Sequence, residues 1–179
     1  HVFCTPDQVH EVLGMLVDIT KEFYDALGMS FRARLSLRDD SDGYLGDKKL
    51  WESSENTLRD IVSQKGLDYF EEKGEAAFYG PKIDVQIWSA IGREFTLATN
   101  QVDFAQGRRF NLEYTTADNK GDTPLIIHRA PLGTHERFIG FLLEHYAGKF
   151  PLWLAPMQVK ILPISDKFLP YARSVAEKL

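Results

Sequence analysis

The sequence predicts an α+β fold in which an antiparallel sheet is flanked by helices. Between residues 76 and 128, runs that alternate apolar and polar side chains follow one another with short turns between them. Consecutive strands joined in this way pair antiparallel. Before this region and directly after it, apolar residues recur at the spacing of helices that pack one face onto a core.

The composition is that of an ordinary globular protein that folds in water, with 44% hydrophobic and 26% charged residues. No apolar run reaches membrane-spanning length, and the first residues lack the basic and apolar segments of a secretory signal. The single cysteine, Cys4, excludes an internal disulfide and fits a reducing compartment, so we expect a cytoplasmic protein. The net charge of −5 gives no electrostatic reason for nucleic-acid binding, so any such binding depends on local sites.

The first half of the chain alternates strands with helices. Thr5, Pro6 and Gln8 have the spacing of a capped helix start, and Gly28 marks the end of the apolar stripe that follows. Residues 31–37 alternate apolar and polar side chains, which is typical of a half-buried strand. The predicted elements are a strand within 1–5, a helix over 9–27, a strand over 31–37, a polar loop over 38–46, a helix over 47–65 and a short strand over 67–71.

The second half holds the body of the predicted sheet. Gly80 and Pro81 interrupt the chain before an alternating strand, and further strands are predicted over 94–104, 110–116 and 125–128, with a polar hairpin connection over 117–123. Thr99, Gln101 and Asp103 alternate along one strand and therefore share one face of the sheet. Three adjacent polar groups indicate either a binding face or a face open to solvent.

Residues 125–143, LIIHRAPLGTHERFIGFLL, predict a buried strand, a tight turn and a helix that begins after Thr134. His128 lies near the end of the strand and Arg137 lies one turn into the helix. A helix N-terminus beside a strand end has free N–H groups and positive dipole character, which suits an anionic ligand. The pattern is compatible with a nucleotide site but does not require one.

The C-terminal segment predicts a change of domain. Residues 148–151 end the preceding helix, residues 153–156 form a linker, and a strand over 159–163 and a helix over 168–178 begin a β–α unit. We expect one domain over 1–152 and the start of a second over 157–179, in a chain that is truncated at both ends.

Three stretches resemble one known family. They are HVFCT at residues 1–5, AAFYGPKID at 76–84 and IHRAPLGTHERFIGFLLEHYAGKFPLWLAP at 127–156. Together they resemble threonyl-tRNA synthetase, a class II aminoacyl-tRNA synthetase, across essentially the whole chain, most weakly over 30–75. The resemblance implies a class II antiparallel sheet flanked by helices. It also implies that the chain begins after the second sequence motif of the class and includes the third. It also implies that the first β–α unit of an α/β anticodon-binding domain follows.

The resemblance implies an enzyme, a threonine–tRNA ligase. Such an enzyme activates L-threonine with Mg-ATP to threonyl-adenylate and transfers the threonyl group to tRNA(Thr), as a homodimer without membrane attachment. The chain alone is expected to be inactive, because the first motif, the second-motif arginine and a ligand cysteine would precede it. The alternatives are a synthetase-like paralogue with a binding or regulatory role, and another class II enzyme such as prolyl-tRNA synthetase.

The resemblance also implies a zinc site. His1 and His128 align with two zinc ligands of the family, and the third would be a cysteine upstream of this chain, a position that Cys4 does not match. Zinc bound by both the amino and hydroxyl groups of the substrate would separate threonine from isosteric valine, which apolar burial separates poorly. Without the resemblance, His128 is more simply a hydrogen-bonded structural residue.

Two cations match catalytic positions of the family. Lys82 matches a residue near the phosphates, and Arg137 matches the third-motif arginine, whose planar cation stacks on adenine and approaches the triphosphate. Gly133 matches an ATP-binding position where the backbone passes close to the nucleotide. The simpler alternatives are a solvated lysine and a surface salt bridge from Arg137 to Glu136 or Asp103.

Three further residues match positions that contact the amino acid. Tyr79 matches a position near the threonine amino group, and Thr99 and Gln101 match positions lining the substrate pocket; a tyrosine at the core edge is the simpler alternative for the first. The chain departs from many relatives at Thr96, where they carry glutamine, and at Ala98, where they carry glycine or serine.

Overall fold

A computed structural model describes all of residues 1–179, which form two compact units, His1–Phe141 and Leu142–Leu179. The helices are α1 (Val9–Ala26), α2 (Lys48–Gln64), α3 (Gln106–Arg109), α4 (His135–His145) and α5 (Leu169–Ala176). The strands are β1 (Val2–Cys4), β2 (Arg32–Leu37), β3 (Tyr69–Lys73), β4 (Lys82–Trp88), β5 (Glu94–Asp103), β6 (Tyr114–Thr115), β7 (Gly121–Asp122) and β8 (Leu125–Ala130). None of these helices has the length and apolar character needed to cross a bilayer.

The first unit is built on a six-stranded sheet with the order β1-β8-β5-β4-β2-β3. Neighbouring strands pair antiparallel except β2 and β3, which pair parallel. This exception arises because α2 lies between β2 and β3 in the chain, and a helical crossover returns the chain in the same direction. The predicted antiparallel sheet flanked by helices is confirmed, with this parallel edge in addition.

Helices α1 and α2 cover one face of the sheet. The predicted start of the first helix is confirmed, since the Thr5 N–H donates to Gln8 Oε1 at 3.0 Å. Its predicted end is confirmed too, because Gly28 follows the last turn with φ +67°. Apolar side chains of both helices and of the central strands form one core; its buried members are Cys4, Val9, Leu13, Leu16, Val17, Ala33, Leu35, Leu37, Leu58, Ile61, Val62, Ile83, Val102 and Ile127.

The opposite face of the sheet carries polar side chains. The β4–β5 pairing changes register between Val85 and Gln86, because β5 has one extra residue, Leu97, at this point. Thr96 therefore pairs with Gln86 on the polar face, whereas Ala98 pairs with Val85 on the core face. We call this polar surface the open face.

The strand predicted over 110–116 is wrong for most of its length. Only β6 forms, and it pairs with β7 in a separate two-stranded hairpin. The reason is that the chain leaves β5 into α3, with both Ala105 and Gln106 N–H groups bound to the Asp103 carboxylate at 2.9 and 2.8 Å. The edge of β5 that a third strand would use is already paired with β8.

The second unit contains the predicted C-terminal helix as α5 but not the predicted strand over 159–163. Val159, Leu162 and Ile164 are exposed there, the last at 96%. A strand is stabilised by a partner strand, and residues 142–179 contain none. The domain boundary at 152–157 stays a prediction; the two compact units divide inside α4.

Candidate active site

One cross-strand row on the open face brings together four of the predicted site residues. The β8–β5 register pairs His128 with Gln101, and the β5–β4 register pairs Gln101 with Lys82. Antiparallel pairing of Val2 with Ile127 places His1 beside His128, and their ring centroids are 4.9 Å apart. Because directly paired residues point to the same face, these four side chains stand in one line across the sheet.

Tyr79 joins this row from the turn that precedes β4. The turn passes so close to β5 that a Cβ on Gly80 would lie 1.7 Å from the Val102 carbonyl oxygen, so only glycine fits there. The Tyr79 ring centroid lies 5.4 Å from that of His128, and the Tyr79 hydroxyl donates to Gln101 Oε1. Burial, together with the nearby Asp103 carboxylate, raises the pKa of this hydroxyl, which therefore stays a hydrogen-bond donor at neutral pH.

Asp103 fixes the orientation of His128. His128 Nε2 lies 2.7 Å from Asp103 Oδ2, and the other carboxylate oxygen accepts the two N–H groups at the start of α3. Asp103 is fully buried at 0% exposure, and its hydrogen-bond partners are His128 and the N–H groups of Ala105 and Gln106. A carboxylate only accepts hydrogen bonds, so Nε2 carries a proton, and in the neutral form of the ring that matches this bond Nδ1 keeps its lone pair.

A second row lies next to the first and centres on Asp84. The registers align Arg34 with Asp84 and Asp84 with Thr99, and Thr99 with Ala130. Asp84 is 1% exposed. Although burial alone would raise its pKa, the Lys82 ammonium and the hydrogen bonds from neighbouring side chains hold the pKa of Asp84 below its ordinary value. Thr99, a predicted substrate-binding residue, therefore flanks a buried anion.

Arg137 and Gly133 lie at the other end of β5, beside the extra residue Leu97. Arg137 Nη1 donates to the Thr96 carbonyl oxygen at 3.3 Å, and it forms no ion pair with Glu136 or Asp103. Gly133 has φ +62°, and a Cβ there would lie 2.5 Å from the Leu97 carbonyl oxygen. The close approach seen at Gly133 is thus to the backbone of β5, and its predicted contact with ATP stays a prediction.

The structure adds residues that the sequence interpretation did not assign to a site. Asp84 and Arg34 were predicted only as polar members of alternating strands, and Asp103 only as part of a polar face. The signal was present, since Arg32, Arg34 and Ser36 alternate on β2 just as Asp84 does on β4. Which cation would meet which anion depended on the register between β2 and β4.

The two histidines border a cavity of about 540 Å³ whose other walls are largely apolar. It is lined by His1, Phe3, Gln106, Phe110, Leu112, Ile126 and His128. No group of three or more His, Cys, Asp or Glu side chains within residues 1–179 is arranged to hold a metal ion. Cys4 is buried in the core on the other face of the sheet, so it is not a partner for the histidines.

Comparison with known proteins identifies the family. The model of the class II tRNA synthetase core domain (G, H, P, S and T) matches residues 1–146. The chain belongs to this family. The chain is 48% identical to the threonine–tRNA ligase of Rhodopirellula baltica and 48% identical to that of Synechocystis sp., in both cases over the whole length of this chain.

Solved structures agree with the sequence matches. The chain superimposes on a crystal structure titled as the RNA binding domain of threonyl-tRNA synthetase from Cryptosporidium parvum. The TM-score is 0.91 at 41% identity, over 99% of this chain and 44% of that one. A putative threonyl-tRNA synthetase from Aeropyrum pernix gives a TM-score of 0.80 at 35% identity, over 98% of this chain and 43% of that one. The resemblance to threonyl-tRNA synthetase is confirmed.

The chain spans only part of its relatives. It covers 24% of the Rhodopirellula ligase and 30% of the Synechocystis ligase. The activity, substrates and partners of these ligases are therefore only proposed for this chain.

Proposed function

We propose that these residues are the adenylate-forming part of a threonine–tRNA ligase, which activates L-threonine with ATP and transfers it to tRNA(Thr). The observation that carries the proposal is the cross-strand row of His1, His128, Gln101 and Lys82, with Tyr79 bound to it. At one end of the row, the histidines and Gln101 are suited to binding an amino acid, and at the other end Lys82 provides a cation. The identity to threonine–tRNA ligases across the whole chain supports the same assignment.

Phosphate chemistry in this site is a matter of position and charge. Lys82 lies at one end of the row, and Arg137, in the first turn of α4, donates a hydrogen bond to the Thr96 carbonyl oxygen. Two cations placed on either side of a bound triphosphate stabilise the charge that develops as pyrophosphate leaves. Holding the threonine carboxylate against the α-phosphate supplies the rest, because it converts an encounter of two molecules into a step within one complex.

His1 and His128 fit two positions of a zinc site. Their rings are adjacent, and the bond from His128 Nε2 to Asp103 presents the other ring nitrogen, as metal-binding histidines commonly require. A third ligand, a cysteine from the same full-length protein, completes the set. When bound, zinc would act as a Lewis acid that accepts the amino and hydroxyl groups of threonine.

The protein side chains would complete the choice of amino acid. Tyr79 and Gln101 are coupled by a hydrogen bond and face the same space as the histidines. A polar site of this kind rejects a valine side chain, since its buried polar groups would lose their partners. Thr99 lies in the adjacent row and is proposed as a further residue of the threonine pocket.

The proposed partners are those of a complete ligase. They are tRNA(Thr), L-threonine, Mg-ATP and a second copy of the protein, in the cytoplasm. A relative whose structure is titled as an RNA binding domain supports the tRNA assignment. The 179-residue chain alone is proposed to be inactive, because its two histidines are an incomplete metal site.

Pyrophosphate exchange tests the proposal. The full-length protein that contains this chain is expected to exchange labelled pyrophosphate into ATP when L-threonine is present, and much less with valine or proline. Robust exchange with another amino acid and none with threonine would show that the specificity is wrong. Absence of exchange with every amino acid would favour a paralogue with a binding role.

A further inference from the structure

Asp84 is a buried carboxylate to which the roles above assign no task. One of its oxygens, Oδ2, contacts three donors: Ser36 Oγ at 2.7 Å, Arg34 Nη2 at 3.0 Å and Lys82 Nζ at 3.3 Å. Taking a charge out of water is costly unless it is paired and hydrogen-bonded. An anion kept at 1% exposure in the middle of β4 therefore needs all three partners.

Asp84 and Lys82 are two residues apart on β4 and so project from the same face of the sheet. The lysine side chain is 18% exposed, so a ligand on the open face can reach it. An ammonium has three hydrogens to donate. Its ion pair with Asp84 at 3.3 Å uses part of this capacity, and the rest is available to a ligand lying on the sheet.

The other cation of this cluster is directed elsewhere. Arg34 also donates to Glu72 Oε2 at 3.0 Å and lies 3.7 Å from Glu75, both beyond β2. Its charge is thus already matched by three carboxylates. Lys82 has Asp84 as its acidic neighbour within ion-pair distance, so it is the cation that this cluster leaves available.

We infer that Asp84 is a positioning residue that holds the Lys82 ammonium in place for a phosphate oxygen of the bound nucleotide. The inference rests on the function proposed above. A lysine has a flexible stem with four rotatable bonds, and an unrestrained ammonium would lose entropy each time it met a phosphate. The ion pair with Asp84 fixes the ammonium before the nucleotide arrives, which is how a charged group stabilises a transition state without reorganising.

The test is threonine-dependent pyrophosphate exchange in the full-length protein with Asp84→Asn. The kcat is expected to fall about 10- to 100-fold, the effect of misplacing a catalytic group by about 1 Å. The KM for threonine is expected to stay within about twofold, because Tyr79 and Gln101 keep their own hydrogen bond. If Asp84 only stabilised the sheet, Asp84→Asn would disturb the whole site and would raise the KM for threonine as well.

A matched control is Glu94→Gln, which removes a carboxylate from an exposed ion pair with Arg32 on the same sheet. It is expected to leave both constants unchanged. If Asp84→Asn lowers the melting temperature so far that the protein unfolds, the pair Arg34→Met with Asp84→Asn removes cation and anion together. That double variant removes the Asp84 carboxylate together with the guanidinium that lies 3.0 Å from it, and it is expected to show the same loss of kcat.

A double-mutant cycle separates action through Lys82 from an independent effect. In a Lys82→Met background, adding Asp84→Asn is expected to lower kcat by less than about twofold, because contacting residues that act as one unit are not additive. A full loss in that background, or a kcat for Asp84→Asn equal to that of Glu94→Gln, would overturn the inference. If the unmodified protein shows no threonine-dependent exchange, the proposed function itself fails.

Discussion

Asp103→Asn tests the proposed zinc site through one atom. The Asn oxygen can still accept the two N–H groups at the start of α3, which Asp103 Oδ1 accepts at 2.9 and 2.8 Å. The group 2.7 Å from His128 Nε2, however, changes from an acceptor to an NH₂ donor. To meet a donor, His128 has to give up the proton on Nε2 and carry it on Nδ1, so the nitrogen proposed to bind zinc is blocked.

The expected result is a zinc affinity about 10- to 100-fold lower, or about 1.4–2.7 kcal/mol. The measurement is competition between the full-length protein and a chromogenic chelator, with the metal as the only ligand. Asp118→Asn, in an exposed turn, is the matched control and is expected to leave the affinity unchanged. Thermal unfolding of both variants separates loss of metal from loss of fold. An Asp103→Asn protein that is folded and binds zinc as tightly as the unmodified one would refute the reasoning.

Three further predictions follow from the same structure. His128→Ala is expected to lower the zinc content of the purified full-length protein, and unchanged stoichiometry would make His128 a structural residue. Gly133→Ala should lower the free energy of unfolding by about 1–3 kcal/mol in thermal denaturation, since its Cβ would meet the Leu97 carbonyl at φ +62°. Gly140→Ala, in open space on α4, is the control and is expected to stabilise slightly. Asp84 is expected to contribute its full stability above its unfolded pKa of about 3.9. This contribution is lost as the pH falls through the lower pKa of the folded state, so Asp84→Asn should flatten the acid limb of a stability–pH curve.

Local signals predicted the helices well. Thr5 and Gln8 at the start of the first helix and Gly28 at its end act within a few residues of each other, so the sequence carries the whole interaction. Asp47 likewise caps α2 by accepting the Leu50 N–H at 2.8 Å. Boundaries set by such contacts need no knowledge of the rest of the fold.

Features that depend on distant partners were not predictable in this way. The stretch after Phe110 has strand-like composition, but β8 already occupies the neighbouring edge of β5. The parallel pairing of β2 and β3 follows from α2 packing on one face, which periodicity does not reveal. Similarly, the three donors around Asp84 come from two strands whose register is set by the whole sheet.

The site residues also divide into those that a local pattern predicted and those that depend on distant contacts. The alternation of Thr99, Gln101 and Asp103 predicted a shared face from the period of a strand alone, and the registers agree. The assignments of His1, His128, Lys82 and Arg137 came from resemblance, and their chemical roles stay predictions. What no local pattern indicated was that Asp103 would be fully buried and bonded to His128.

The extra residue in β5 changes how the numbering of that strand maps onto its two faces. Thr96 and Thr99 differ by an odd number, yet both pair with residues of the open face, Gln86 and Asp84. If β5 kept all its residues but lost the bulge at Leu97, its alternation would be regular and either Thr96 or Thr99 would turn into the core. The bulge thus keeps Thr96, at the Arg137 end of the site, on the same face as Thr99 and Gln101 near Lys82. In this sheet, the count of residues in β5 matters to the site as much as their identity.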